Sequence, residues 1–207
     1  MNMEKIYRIE TIEQYNNICG FKTMHPLVAY VEFNENSRMI QGRHTNGFYS
    51  LFLKETKGCV INYGKTKYDF DGQTIVSIAP DQVVGYESVV GVPKRAKGIL
   101  FHPDFLHGTS LERKMKDYTF FSYASNEALH LSEDERRIIT DCMAIVGKEL
   151  QNPIDRHTKS LVTTNIELIL DYCLRFYERQ FVTRQDLNLG VIARFENLVD
   201  EYIASGK

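Results

Sequence analysis

The chain predicts an α+β fold in which an antiparallel β-barrel over residues 1–131 is followed by a C-terminal helical dimerisation unit. Three observations carry this prediction. First, Leu27 to Phe101 runs as short β-branched and aromatic segments punctuated by turn residues, without the intervening helices that a parallel sheet needs. Second, Ser132-Glu-Asp-Glu135 is a capping box. The serine hydroxyl can accept the Glu135 backbone N–H while the Glu135 carboxylate reaches back, so a helix begins there. Third, beyond Thr158 the apolar residues recur at helical rather than strand spacing.

Along the chain, Ile6, Ile9, Ile12 and Tyr15 recur at roughly three-residue spacing, predicting a short helix after Thr11. Leu27 to Phe33 reads as a strand. Gly47 to Leu53 sets Phe48, Ser50 and Phe52 against Tyr49, Leu51 and Leu53 in strand alternation. Cys59 to Tyr63 and Lys67 to Phe70 follow. Asp71-Gly72 is the pair that best tolerates a left-handed hairpin turn, so Thr66 to Phe70 is expected to pair with Thr74 to Ile78. Pro80 ends that run for want of a ladder donor, Val83 to Tyr86 resumes it, and Gly98 to Phe101 is a strand stopped at Pro103. Residues 103–107 and 111–115 read as short helical turns or loop. Tyr118 to Tyr123 is expected to close the β portion.

After Ser132, the positions Ile138, Ile139, Cys142, Met143, Ile145, Val146 and Leu150 make an amphipathic helix. A second helix from Thr158 to Gln180 carries Val162, Ile166, Ile169, Cys173 and Phe176 at steps of four, three, four and three. This stripe is expected to be the seam of a symmetric homodimer, with the neighbouring Leu161, Leu168 and Tyr172 stripe serving the protomer. Polar Thr183 to Asn188 then precedes a last amphipathic segment with Ile192, Phe195, Leu198, Val199, Tyr202 and Ile203. The expected divisions are 1–131, 132–181 and 182–207.

Lys+Arg number 25 against 27 Asp+Glu, so no global positive field attracts nucleic acid. No stretch has the uninterrupted apolar length of a membrane span, and the N-terminus is too polar for a signal peptide. Cys19, Cys59, Cys142 and Cys173 lack CxxC spacing and read as reduced core residues, which places the protein in a cytoplasm.

Catalytic motifs are missing: there is no GxSxG setting for a nucleophile and neither GxGxxG nor GxxxxGK to cradle phosphate. Of six histidines, His102 and His107 flank Pro103-Asp104, while His25, His130 and His157 sit beside element ends. The chain is therefore expected not to be an enzyme and to need no cofactor.

The order Asp-Gly, strand, Ala79-Pro-Asp-Gln82, then Gly98-Ile-Leu-Phe-His-Pro-Asp-Phe-Leu106 resembles the sensor domain of AraC-type transcriptional regulators. Phe176-Tyr-Glu-Arg-Gln-Phe-Val-Thr-Arg184, with Ala193 to Tyr202, resembles the segment those regulators place before their DNA-binding module. The resemblance implies a cupin-like barrel that senses a small-molecule effector, a bacterial homodimer, and DNA contact only through a helix-turn-helix module expected beyond Lys207. It also implies ligand-facing roles for Lys54, the basic residue before the first glycine turn, and for Tyr86, at the end of the proline-containing segment. His44 joins them as a polar pocket group. The competing reading of Lys54 is a solvated turn, Lys54-Glu-Thr-Lys57.

Metal-binding cupins converge three or four ligands inward, but here His44 is followed by Asn46 rather than a second histidine, and Val83-Val84 stands in the second motif. No metal is expected. The alternatives to a regulator are a small cupin isomerase or oxygenase with a degenerate metal site, and a barrel that binds no ligand and only dimerises.

Overall fold

The computed structural model describes residues 6–34, 37–55, 61–63, 66–67, 73–86, 95–121 and 128–204, with 61–63, 66–67, 86 and 183–204 as backbone. Among the described residues the strands and helices follow in the order β1 (Tyr7–Ile9), α1 (Ile12–Cys19), β2 (Val28–Phe33), β3 (Gly42–Asn46), β4 (Tyr49–Lys54), β5 (Ile61–Tyr63), β6 (Thr66–Lys67), β7 (Thr74–Ile78), β8 (Val83–Tyr86), β9 (Ala96–Phe101), α2 (Pro103–Leu106), α3 (Ser110–Lys114), β10 (Leu129–His130), α4 (Glu133–Glu149) and α5 (Thr158–Ala204).

The predicted α+β class holds, with a different closure. The strands form two sheets, ordered β1-β3-β8-β5-β6 and β10-β7-β4-β9-β2, and no ladder joins them among the described residues. Every described pairing is antiparallel except β1 with β3, which is parallel. The β portion is thus two sheets rather than one barrel closed by hydrogen bonds.

Period-two alternation gives the second sheet two buried faces. Leu51, Leu53, Ile75, Ile99 and Phe101 pack with α4 and α5 residues such as Met143, Val146 and Leu170. The alternate residues, Phe52, Val76, Ile78, Leu100 and Val31, pack with Val84 and Ile9 of the first sheet and with Ile12 and Tyr15 of α1. The molecule is layered sheet, sheet, helix pair. Gly147 of α4 lets that helix approach β2, since a Cβ there would meet the Tyr30 ring at 2.7 Å.

The helix starts are those the sequence predicts. Ser132 caps α4 with the reciprocal Glu135 bond, and Thr11 caps α1 through the same device with Gln14. Three expectations need correction. Of the expected pairing between Thr66–Phe70 and Thr74–Ile78, the described residues Thr66–Lys67 pair instead with β5 in the first sheet, while β7 pairs with β4 and β10 in the second. Asp71-Gly72 itself lies outside the described residues. Thr119–Phe121 is a 3-10 turn, not a closing strand, and its aromatic rings fill the base of the core: Phe120 stacks on Tyr177 at 5.3 Å. Finally, α5 does not break after Gln180 but continues to Ala204.

The stripe Val162, Ile166, Ile169, Cys173 and Phe176 also lies elsewhere than expected. All five residues are buried within their own chain, against α4 and the second sheet, so they form the protomer's core rather than a dimer seam. The stripe assigned to the protomer is the open one: Leu161 is 48% and Leu168 42% exposed, with Tyr172 half-buried, and Ile145 of α4 is 48% exposed as well. A 3.5-residue period reports that a face is apolar, not whose surface covers it.

Candidate functional site

The face of the second sheet that looks toward the first is apolar except for a few polar residues. Ser50 and Lys54 alternate with Leu51 and Leu53 on β4, so both share the face of Phe52, and Lys54 is only 2% exposed. The expectation of a solvated Lys54 turn is therefore overturned. Strand register puts Lys54 opposite Thr74 of β7 on one side and Ala96 of β9 on the other. Phe33 follows beyond Ala96, and His130 beyond Thr74, so one row crosses the whole sheet. A cavity of about 380 Å³ adjoins this row, lined by Glu32, Phe33, Asn34, Glu55, Arg95, Ala96 and Lys97. At its rim Lys97 approaches Glu55 at 3.5 Å, with Arg136 of α4 at 4.0 Å from the same carboxylate.

His44 and Asn46 occupy alternate positions on β3 and are both buried, while Arg43 is exposed. His44 pairs with Val84, its Nδ1 stands 3.5 Å from the Gly42 carbonyl, and burial pushes its imidazole below the ordinary histidine range. Tyr86 ends β8 opposite Gly42 and Ile61 in the ladder; its ring lies outside the described residues. Of the three residues expected at a ligand, His44 and Tyr86 thus share the β3–β8 ladder of the first sheet, and Lys54 stands on the second sheet.

Sequence reasoning missed Asn46, Ser50 and Thr74. Each is buried with a side-chain oxygen that has no hydrogen-bond partner among the described residues: Asn46 Oδ1, Ser50 Oγ and Thr74 Oγ1. An unmatched buried oxygen costs about 1–3 kcal/mol, so a group or water that pairs with it is favoured there. The signal was present for Ser50, which shares strand parity with Phe52 and Lys54. Small polar residues at core-facing strand positions are the pattern to seek.

Chemically, the buried faces of the two sheets carry one lysine, two hydroxyls, one amide and one imidazole among apolar side chains, and none of these five groups lines the cavity beside them. Among the described residues, no three His, Cys, Asp or Glu side chains lie close enough together to hold a metal ion. No described helix is long and apolar enough to cross a membrane. No protein-family model matches the chain, and no curated protein matches it.

The buried imidazole makes a pH prediction. His44 and His25 both have values lowered by burial from the ordinary 6.5. Below 6.5 the unfolded chain therefore binds protons that the folded chain refuses, and stability falls as pH drops from there toward the folded values. The melting temperature is expected to fall between about pH 7.5 and about pH 5.5, and His44→Gln is expected to flatten that slope. An equal slope in the variant would remove His44 from this account.

Proposed function

We propose that the chain is the ligand-sensing and dimerisation portion of an AraC-type transcription regulator, with a cupin-like pair of sheets as the sensor and α4 and α5 as the dimerisation unit. The observation that carries the reading is the set of buried polar groups, Lys54, Thr74, Ser50, Asn46 and His44, inside an otherwise apolar inter-sheet core. Unmatched buried oxygens are uncommon in a core, and among the described residues three of the seven, on Asn46, Ser50 and Thr74, belong to this set. The helix pair on the back of the sensing sheet has an open apolar stripe, Leu161, Leu168 and Ile145, facing away from the sheets. A second copy of the chain would cover it about a two-fold axis. DNA contact in this reading belongs to a helix-turn-helix module outside these residues, and a cytoplasmic setting follows from that role.

The mechanism is linkage. An effector that binds one arrangement of sheet and helices more tightly shifts the population toward it, by no more than its differential affinity. The enzyme alternative would require converging metal ligands around His44, and the described ladder partners of His44 are Val84 and Tyr7.

A thermal-shift panel of small polar metabolites tests the reading. A true effector present at about 100 times its Kd adds about 2.7 kcal/mol, several degrees in melting temperature. The rise is expected to disappear in Thr74→Val and Lys54→Met. A panel in which nothing raises the melting temperature would favour the ligand-free dimerisation module instead.

A further inference from the structure

Gln73 is one of two described residues other than glycine with positive φ, at 71°. A long side chain disfavours left-handed backbone, and such a conformation persists only where its neighbours over-determine it. Three bonds do so here. The Gln73 N–H donates to the Lys54 carbonyl at 2.9 Å, and its own carbonyl accepts the Leu131 N–H at 3.1 Å. Its side-chain Nε2 donates to Glu133 Oε2, at the first residue of α4, at 3.2 Å.

Leu131 continues from β10, the two-residue strand that pairs His130 with Thr74. β10 is held in turn by α5. The His130 N–H donates to Gln180 Oε1 at 2.9 Å, Arg179 Nη2 donates to the His130 carbonyl at 2.9 Å, and Gln180 Nε2 donates to the Ala128 carbonyl at 3.3 Å. Arg179 also donates to Glu135, the capping carboxylate of α4, at 3.0 Å. The Lys54–Thr74 row therefore reaches α5 directly through the Thr74–His130 ladder pair, and reaches the start of α4 through one strained residue, Gln73.

We infer that Gln73 is a conformational joint which transmits a change at the Lys54–Thr74 row to the start of α4. In one state the left-handed Gln73 holds Leu131 and Glu133. In the other it relaxes to negative φ and releases them, loosening the first turn of α4. This is a two-state element that the sheet interior and α4 can each bias, which is the physical requirement for coupling. That the joint carries an effector's signal rests on the sensor reading; the joint itself does not.

Amide hydrogen exchange on four full-length chains tests it: unmodified, Thr74→Val, Gln73→Gly, and the double variant. Thr74→Val keeps shape and alters only the polar row, and glycine adopts positive φ without strain while dropping the Glu133 bond. In chains that keep Gln73, Thr74→Val is expected to change exchange at 131–137 by at least about fivefold, and in chains carrying Gln73→Gly by less than about twofold. Equal responses in both backgrounds, or no response beyond β7 and β4, would overturn the joint. Lys54→Met repeats the comparison if Thr74→Val does not fold. No ligand is used, so a chain that fails the thermal-shift panel can still pass here, and the two ideas fail separately.

Discussion

In the dimer proposed above, replacing Leu168 by glutamate is expected to leave a folded monomer, while the same change one residue later, at Ile169, is expected to prevent folding. Leu168 is 42% exposed on the open face of α5, whereas Ile169 is 1% exposed among Val162, Ile166, Met143 and Val146. At position 169 the chain forfeits roughly 1.5–3 kcal/mol of apolar burial and must desolvate a carboxylate, with an effective penalty of several kcal/mol. Together these approach the whole stability of an ordinary domain, about 5–15 kcal/mol. At position 168 the monomer keeps its carboxylate in water, and the desolvation penalty falls only on association. Light scattering and circular dichroism separate the cases. A Leu168→Glu chain that still scatters as a dimer would move the seam away from this stripe, and a well-folded Ile169→Glu chain would contradict the packing described.

Gly98→Val is expected to lower the melting temperature by roughly 2–12 °C, from overpacking of about 1–3 kcal/mol in a chain of this length. Gly98 lies mid-strand in β9 between Val31 of β2 and Phe52 of β4. A Cβ at Gly98 would sit 2.6 Å from both Cδ1 and Cε1 of the Phe52 ring and 3.1 Å from Val31 Cγ2. The ring has little room to retreat, because Phe33 meets it edge-on at 6.1 Å in the inter-sheet core. Glycine is thus needed here for space and not for backbone freedom. Phe52→Leu combined with Gly98→Val should recover much of the loss, since the two changes share one clash and will not add. Strict additivity of the two would show that the damage comes from the strand backbone instead.

Features that depend on neighbouring residues alone were legible in the chain. The capping box at Ser132, the helix start after Thr11, the ends of β8 and β9, and the short helical turns after Pro103 and near Leu111 follow from hydrogen-bond satisfaction and backbone sterics within a few residues. So did the two-faced character of Tyr49–Lys54. Part of the site was legible too: Lys54 and His44 are indeed buried polar residues, although the turn-like surroundings of Lys54 argued otherwise.

What failed concerned partners distant in sequence. Asp71-Gly72 is a strong local turn signal, yet β4 and β10, both far from β7 in sequence, take its two edges, and Thr66–Lys67 pairs with β5. The apolar stripes of α5 were both visible, but periodicity measures an angle around a helix and contains nothing about which surface fills it. By itself, therefore, the sequence determined where helices and strands begin, which positions are apolar and which turns are punctuated. Only the tertiary structure decided which strands share a sheet, that Val162 to Phe176 faces inward while Leu161 and Leu168 face out, and that Gln73 bears the left-handed strain. Those choices are set by long-range burial and by the closing of hydrogen bonds between segments, energies that no local window of residues contains.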